Sequence, residues 1–156
     1  DKGTLFRIKV KRSDMDAVAL VPNSTGIEQP VYGLFNAKVL LVENDLTVQE
    51  ATRALLQRWG CNVRTAASLG DAIMALTNTN FDPDILIADQ HLNRSTLGTD
   101  TIAQTRQLLG RVVPSILVTA DANAELAMIA QTNRIELMHK PVRPAELRAL
   151  MAHMLG

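Results

Sequence analysis

Cysteine is almost absent from this chain: Cys61 is the only one. That excludes an internal disulfide and fits a reducing compartment; we expect Cys61 as a small buried residue. Aromatic residues make up only 3%, so Leu, Ile, Val, Ala and Met must fill the core. Neither charge is in excess, with 16 Lys plus Arg against 16 Asp plus Glu. A neutral chain offers no bulk electrostatic footprint for nucleic acid or membrane, and neither is expected as a direct partner. No apolar run reaches the roughly 18 residues of a membrane span. Enzyme signatures are missing too. No glycine-rich dinucleotide loop or Walker A sequence follows the first apolar run, and Ser68, Ser95 and Ser115 stand in no nucleophile elbow.

What is present is enough apolar residue, 47% of 156, for one domain with a true core. From residue 38 onward, short apolar runs alternate with helical periods five times. That alternation predicts an α/β fold, a doubly wound five-stranded parallel sheet with helices on both faces. The expected strand order is the flavodoxin-like 2-1-3-4-5, whose switch point lies between strands one and three. In the first helix Val48, Ala51, Leu55 and Trp59 form the expected buried stripe, with a capping box of Thr47 and Glu50 at its start. Ser68 and Asp71 repeat the cap before the second helix. The third runs from about Asp100 to Leu109 and stops at Gly110. Asp121 is the expected cap of the fourth, which holds Leu126 and Ile129. Pro144 opens the fifth, with Leu147, Leu150 and Met154 inward. Met128, Met138, Met151 and Met154 are expected as core or helix-face packing.

The strand ends carry the chemistry. Ile85-Leu86-Ile87-Ala88 ends in Asp89, and Val39-Leu40-Leu41-Val42 ends in Glu43-Asn44-Asp45. Ile116-Leu117-Val118 ends in Thr119, and Ile135 to Met138 leads to His139-Lys140-Pro141. In an open parallel sheet, ligands bind outside the carboxyl ends of the strands at the switch point. Acids, a hydroxyl and an ammonium on one rim suit a hard divalent cation and a phosphoryl group. His91, His139 and His153 have no metal-ligand spacing and are expected at the surface. A flavin-type phosphate loop is disfavoured, because acids in its place would repel a phosphate without a metal.

Residues 1–37 differ. Phe6, Ile8 and Val10 alternate with Arg7, Lys9 and Lys11, a half-buried strand pattern. Pro22, Asn23, Ser24, Gly26, Pro30 and Gly33 mark a linker. The expected division is a terminal strand at 1–12, a linker at 13–36 and the α/β domain at 37–156. The chain opens Asp1-Lys2-Gly3 rather than on Met, which reads as a cut inside a longer protein. A lone strand must dock, pair with another copy or be disordered, so a homodimer through it is one expectation.

Residues 38–156 resemble the receiver domain of bacterial two-component signalling. The matching elements are Val-Leu-Leu-Val-Glu-Asn-Asp at 39–45, Asp-Ile-Leu-Ile-Ala-Asp at 84–89, Ile-Leu-Val-Thr-Ala at 116–120, and Lys140-Pro141. Gly3-Thr4-Leu5-Phe6-Arg7-Ile8 resembles the last strand of a histidine-kinase ATP-binding domain. Together they imply the cytoplasmic, carboxyl-terminal piece of a hybrid histidine kinase, a parent that can be membrane-anchored. The resemblance implies roles. Asp89 would accept a phosphoryl group from phosphohistidine. Glu43, Asn44, Asp89 and the backbone carbonyl of His91 would hold Mg²⁺. Thr119 would bond a phosphoryl oxygen, and Lys140 would pair with the phosphoryl group, before a cis bond to Pro141. Slow self-hydrolysis is implied, tuned at His91 and Asp121. Implied partners are the kinase domain of the same protein and a histidine phosphotransfer protein or response regulator.

Three departures stand out against the family pattern. Asn44 replaces the second acid, which predicts weaker Mg²⁺ binding. Leu137 replaces the aromatic residue that commonly reports phosphorylation. Asn93 replaces a common proline, and the loop after Asp89 is expected to be one residue longer. Asn44 and Leu137 keep open a rival reading, a degenerate receiver acting as a phosphorylation-independent docking module. A small-ligand-binding α/β domain is a third.

Overall fold

A computed structural model of the protein describes residues 34–156. The strand expected at 1–12, its pairing with another copy, and the linker from 13 to 33 lie outside the described residues. Five strands are β1 (Lys38–Val42), β2 (Asn62–Ala66), β3 (Ile85–Asp89), β4 (Ser115–Thr119) and β5 (Ile135–His139). Between and after them run α1 (Leu46–Arg58), α2 (Leu69–Asn78), α3 (Gly98–Leu109), α4 (Ala124–Thr132) and α5 (Pro144–Leu155). All pairings are parallel, in the order β2-β1-β3-β4-β5. The chain therefore has the doubly wound, flavodoxin-like fold expected from its alternation.

Strand alternation builds two cores. Leu40, Val42, Leu86, Ala88 and Leu117 pack with Ala72, Leu76, Ile102, Leu126 and Ala130 of α2, α3 and α4. Their neighbours in sequence, Val39, Leu41, Ile85, Ile87 and Ile116, pack with Leu56, Leu147 and Met151 of α1 and α5. A period of two sends successive side chains to opposite faces, so the continuous apolar runs are strands buried on both sides. Leu34, just before β1, is buried in the second core, and the Asn36 N–H donates to the Gly60 carbonyl. Cys61 is buried beside it, as expected, and burial pushes its thiol up to about 11. Among the described residues no helix is long and apolar enough to cross a membrane.

Several local expectations need correction. The cap of α1 is Asp45, whose Oδ1 accepts from the Thr47 and Val48 N–H groups, so no capping box forms at Thr47 and Glu50. Asp offers a carboxylate to the helix N-terminus and is the stronger cap. The buried face of α1 correspondingly holds Gln49 and Leu56, continued by Trp59, while Val48 and Ala51 are exposed. The cap of α4 is Asn123, which accepts from the Leu126 N–H; Asp121 lies two residues before the cap and pairs with His91 instead. Ile129 and Met128 on α4 are exposed rather than packed, since the sheet reaches only the face of Leu126 and Ala130. Ser68 caps α2, Gly110 ends α3 in the left-handed conformation, and Pro144 opens α5, as the sequence predicts. The third helix starts at Gly98, two residues before its expected first turn.

Candidate functional site

Strand register brings the distant residues together. Val42 pairs with Ala88, so Glu43 follows β1 level with Asp89, the last residue of β3. Asp89 pairs with Val118, which places Thr119 one residue further along, and Thr119 pairs with His139, just before Lys140. The switch point between β1 and β3 therefore carries two acids, with the hydroxyl and the ammonium arriving from β4 and β5.

Asp89 is 5% exposed, and each oxygen has a donor. Lys140 Nζ lies 2.6 Å from Oδ1, and the His91 N–H donates to Oδ2 at 3.0 Å. That hydrogen bond to Asp89 is the main cause raising the Lys140 ammonium above its ordinary value, with burial pulling the other way. The bond from Lys140 to Pro141 is cis, and the Lys140 N–H donates to the Thr119 carbonyl at 2.8 Å. Thr119 is fully buried, and its hydroxyl accepts the Asp121 N–H at 2.9 Å. A hydroxyl that accepts one bond keeps its own proton for another acceptor.

Glu43 is buried, and its Oε1 accepts the Asp45 N–H at 3.0 Å. Burial raises its carboxyl above the ordinary value of 4.5, opposed by that hydrogen bond and reinforced by the charge of Asp89. Asn44 is exposed, and Asp45 Oδ1 accepts from the Thr47 and Val48 N–H groups as the α1 cap, while the Asp45 charge still acts on Glu43 and Lys140. A carboxyl raised in the fold favours folding below its unfolded value and loses that contribution as pH rises through the folded value. In chelator-treated protein at neutral pH, Glu43→Gln is therefore expected to raise the melting temperature by a few degrees. The gain should vanish near pH 4, and scanning calorimetry across that range checks it.

The His91 imidazole, exposed as expected, lies 2.7 Å from Asp121 Oδ2 and ties the loop after β3 to the loop after β4. In the loop after Asp89, Asn93 Oδ1 accepts from the Ser95 and Thr96 N–H groups. Leu137 is only partly buried, against the core of α2, α3 and α4. Two amides went unnoticed in the sequence. Gln90 is buried and its Oε1 accepts the Thr99 N–H at 3.2 Å, supplying a side-chain acceptor at the start of α3. Gln49 Nε2 donates to the Glu43 carbonyl at 2.7 Å. Its only sequence signal is a polar residue seven positions before Leu56, on the same helix face. Beside Asp89 and Lys140 opens a groove of about 660 Å³, with Val48, Ala51, Val118, Pro141, Val142 and Leu147 in its walls.

The donors gathered here are all oxygens. Among the described residues no three His, Cys, Asp or Glu side chains form a metal-holding group. Mg²⁺ does not need three, since it takes one or two carboxylates and keeps several waters. Glu43 and Asp89 are two buried carboxylates whose charges act on each other, with one ammonium beside them. A hard divalent cation fits that donor set.

No curated protein matches the chain. Solved structures of similar fold include a CheY-like response regulator receiver domain protein from Methanospirillum hungatei JF-1. It has a TM-score of 0.68 at 22% identity, covering 76% of this chain and 93% of that one. Chemotaxis protein CheY4 of Vibrio cholerae gives 0.68 at 22% identity, over 76% and 98%. A response regulator receiver protein from Burkholderia phymatum gives 0.64 at 26% identity, over 77% and 95%. The family model for the response regulator receiver domain matches residues 39–152. That match runs from the first strand into the last helix, over the same strand ends that converge on Asp89, and this chain belongs to the response regulator receiver domain family.

Proposed function

We propose that this receiver domain of a two-component system accepts a phosphoryl group on Asp89 from a phosphohistidine, with Mg²⁺. The observation that carries the reading is the buried Asp89 carboxylate with the Lys140 ammonium 2.6 Å away. An Asp89 oxygen forms the bond to phosphorus as the phosphorus–nitrogen bond to histidine breaks, and the electron pair leaves with the imidazole nitrogen. Transfer of this kind needs mainly positioning and charge neutralisation. Glu43, Asp89, Asn44 and the His91 carbonyl would hold Mg²⁺, which supplies positive charge to the phosphoryl oxygens. Lys140 neutralises charge on the transferred group, and the Thr119 hydroxyl donates its free proton to a phosphoryl oxygen. Lys140 stays protonated throughout the neutral range, because its shift is upward.

The donor is proposed to be the kinase domain of a hybrid histidine kinase from which this piece comes, or a histidine phosphotransfer protein. A docking role independent of phosphorylation is less well supported, because the acid, hydroxyl and ammonium are all in place despite Asn44. Intact-mass spectrometry after incubation with acetyl phosphate tests the proposal. A gain of one phosphoryl mass with Mg²⁺ and none with chelator is expected. No gain, beside a control receiver that labels and after offering phosphohistidine as well, would overturn it.

A further inference from the structure

Gln49 is a buried amide on a helix face otherwise held by Leu56. Its Nε2 donates to the Glu43 carbonyl at 2.7 Å and to the Ala66 carbonyl at 3.2 Å. Both protons of that nitrogen are thereby used, one after the end of β1 and one at the end of β2. The Ala66 carbonyl also accepts the Glu43 N–H at 2.9 Å. Glu43 lies one residue beyond β1, where pairing with β3 has ended at Val42 and Ala88. The sheet fixes Asp89, but Glu43 depends on these other contacts. Its backbone is held on the N–H side by β2 and on the carbonyl side by α1, through Gln49. With a neutral, exposed Asn44 next in sequence, Glu43 and Asp89 are the buried acids a cation would use.

We infer that Gln49 is a positioning residue for divalent-cation binding, fixing where Glu43 presents its carboxylate by holding the Glu43 carbonyl against α1. The inference rests on the metal-assisted reading of the Asp89 site. Groups that orient metal ligands from behind change affinity strongly when removed, by about tenfold or more.

The test is an NMR titration of Mg²⁺ into the whole chain, without any phosphodonor, for wild type, Gln49→Met and Leu56→Ala. Met keeps the length of the side chain and removes both donors. Leu56→Ala weakens the same helix face without touching the acidic loop. The expected result is a Mg²⁺ dissociation constant about tenfold weaker in Gln49→Met and unchanged in Leu56→Ala. A Gln49→Met constant indistinguishable from wild type overturns the inference, as does an equal shift in Leu56→Ala. If Gln49→Met does not fold, Gln49→Asn replaces it under the same criterion, being too short to reach both carbonyls. Wild type that binds no Mg²⁺ overturns the metal-assisted reading and this inference with it. Wild type that binds, beside a variant that binds equally, overturns the inference alone.

Discussion

Asp89→Asn is expected to abolish phosphoryl uptake and leave a folded domain. A carboxylate oxygen is a competent nucleophile toward phosphorus, and an amide oxygen of the same shape is not. The substitution should cost little stability. Asp89 and Glu43 are buried acids that repel each other, and removing one charge relieves that repulsion. Lys140 loses its 2.6 Å partner, but its side chain is 40% exposed and reaches water. The net change in stability should stay within about 1 kcal/mol, as for other partly exposed pairs. Intact mass with Mg²⁺ and acetyl phosphate, together with a thermal melt, reads both outcomes. Uptake surviving in the variant would put the acceptor on another carboxylate, and Glu43 would be the first to examine.

Gly98→Ala is expected to cost stability on the order of 3 kcal/mol, at the upper end for overpacking a close contact. The reason is space rather than backbone conformation. A Cβ at Gly98 would lie 2.3 Å from the Asp89 carbonyl oxygen and 2.6 Å from Leu117 Cδ1. The nearer atom is backbone, at the end of the central strand, so it cannot swing aside as a side chain would. Helix α3 must move instead, and its Gly98 N–H would leave the Gln90 carbonyl, now 2.9 Å away. The Gln90 side-chain bond to the Thr99 N–H would go with it. For a chain of this size the loss corresponds to roughly 10 °C in melting temperature. Phosphoryl uptake should slow at the same time, because the shift begins at Asp89. A melt unchanged from wild type would show that α3 can withdraw at no cost.

The parts of this fold readable in advance are those governed by short-range pattern. Short apolar runs at 39–42, 85–88 and 116–118 became β1, β3 and β4, and the terminal acids, hydroxyl and lysine met at the rim because parallel register leaves them no other end. Caps were read less well, because neighbouring polar residues compete for the same N–H groups. Asp45 displaced Thr47 and Asn123 displaced Asp121, and only three-dimensional partners decide such contests. Of the stripe expected on α1, Leu55 and Trp59 pack against the core, while Val48 and Ala51 are exposed and Gln49 and Leu56 are buried in their stead. An amide gives no hydrophobic signal, so nothing in the sequence marks Gln49 and Gln90 as buried. Their burial is tolerable only because backbone groups far away in sequence complete their hydrogen bonds.

The raised thiol of Cys61 has a practical side. At neutral pH a thiol titrating near 11 is almost wholly protonated, and this one is also 7% exposed, so alkylating reagents should pass it by. A second cysteine introduced at an exposed position such as Met128 would then be the only reactive one among the described residues. A fluorophore or spin label could be attached there selectively, with the native sulfur left in place.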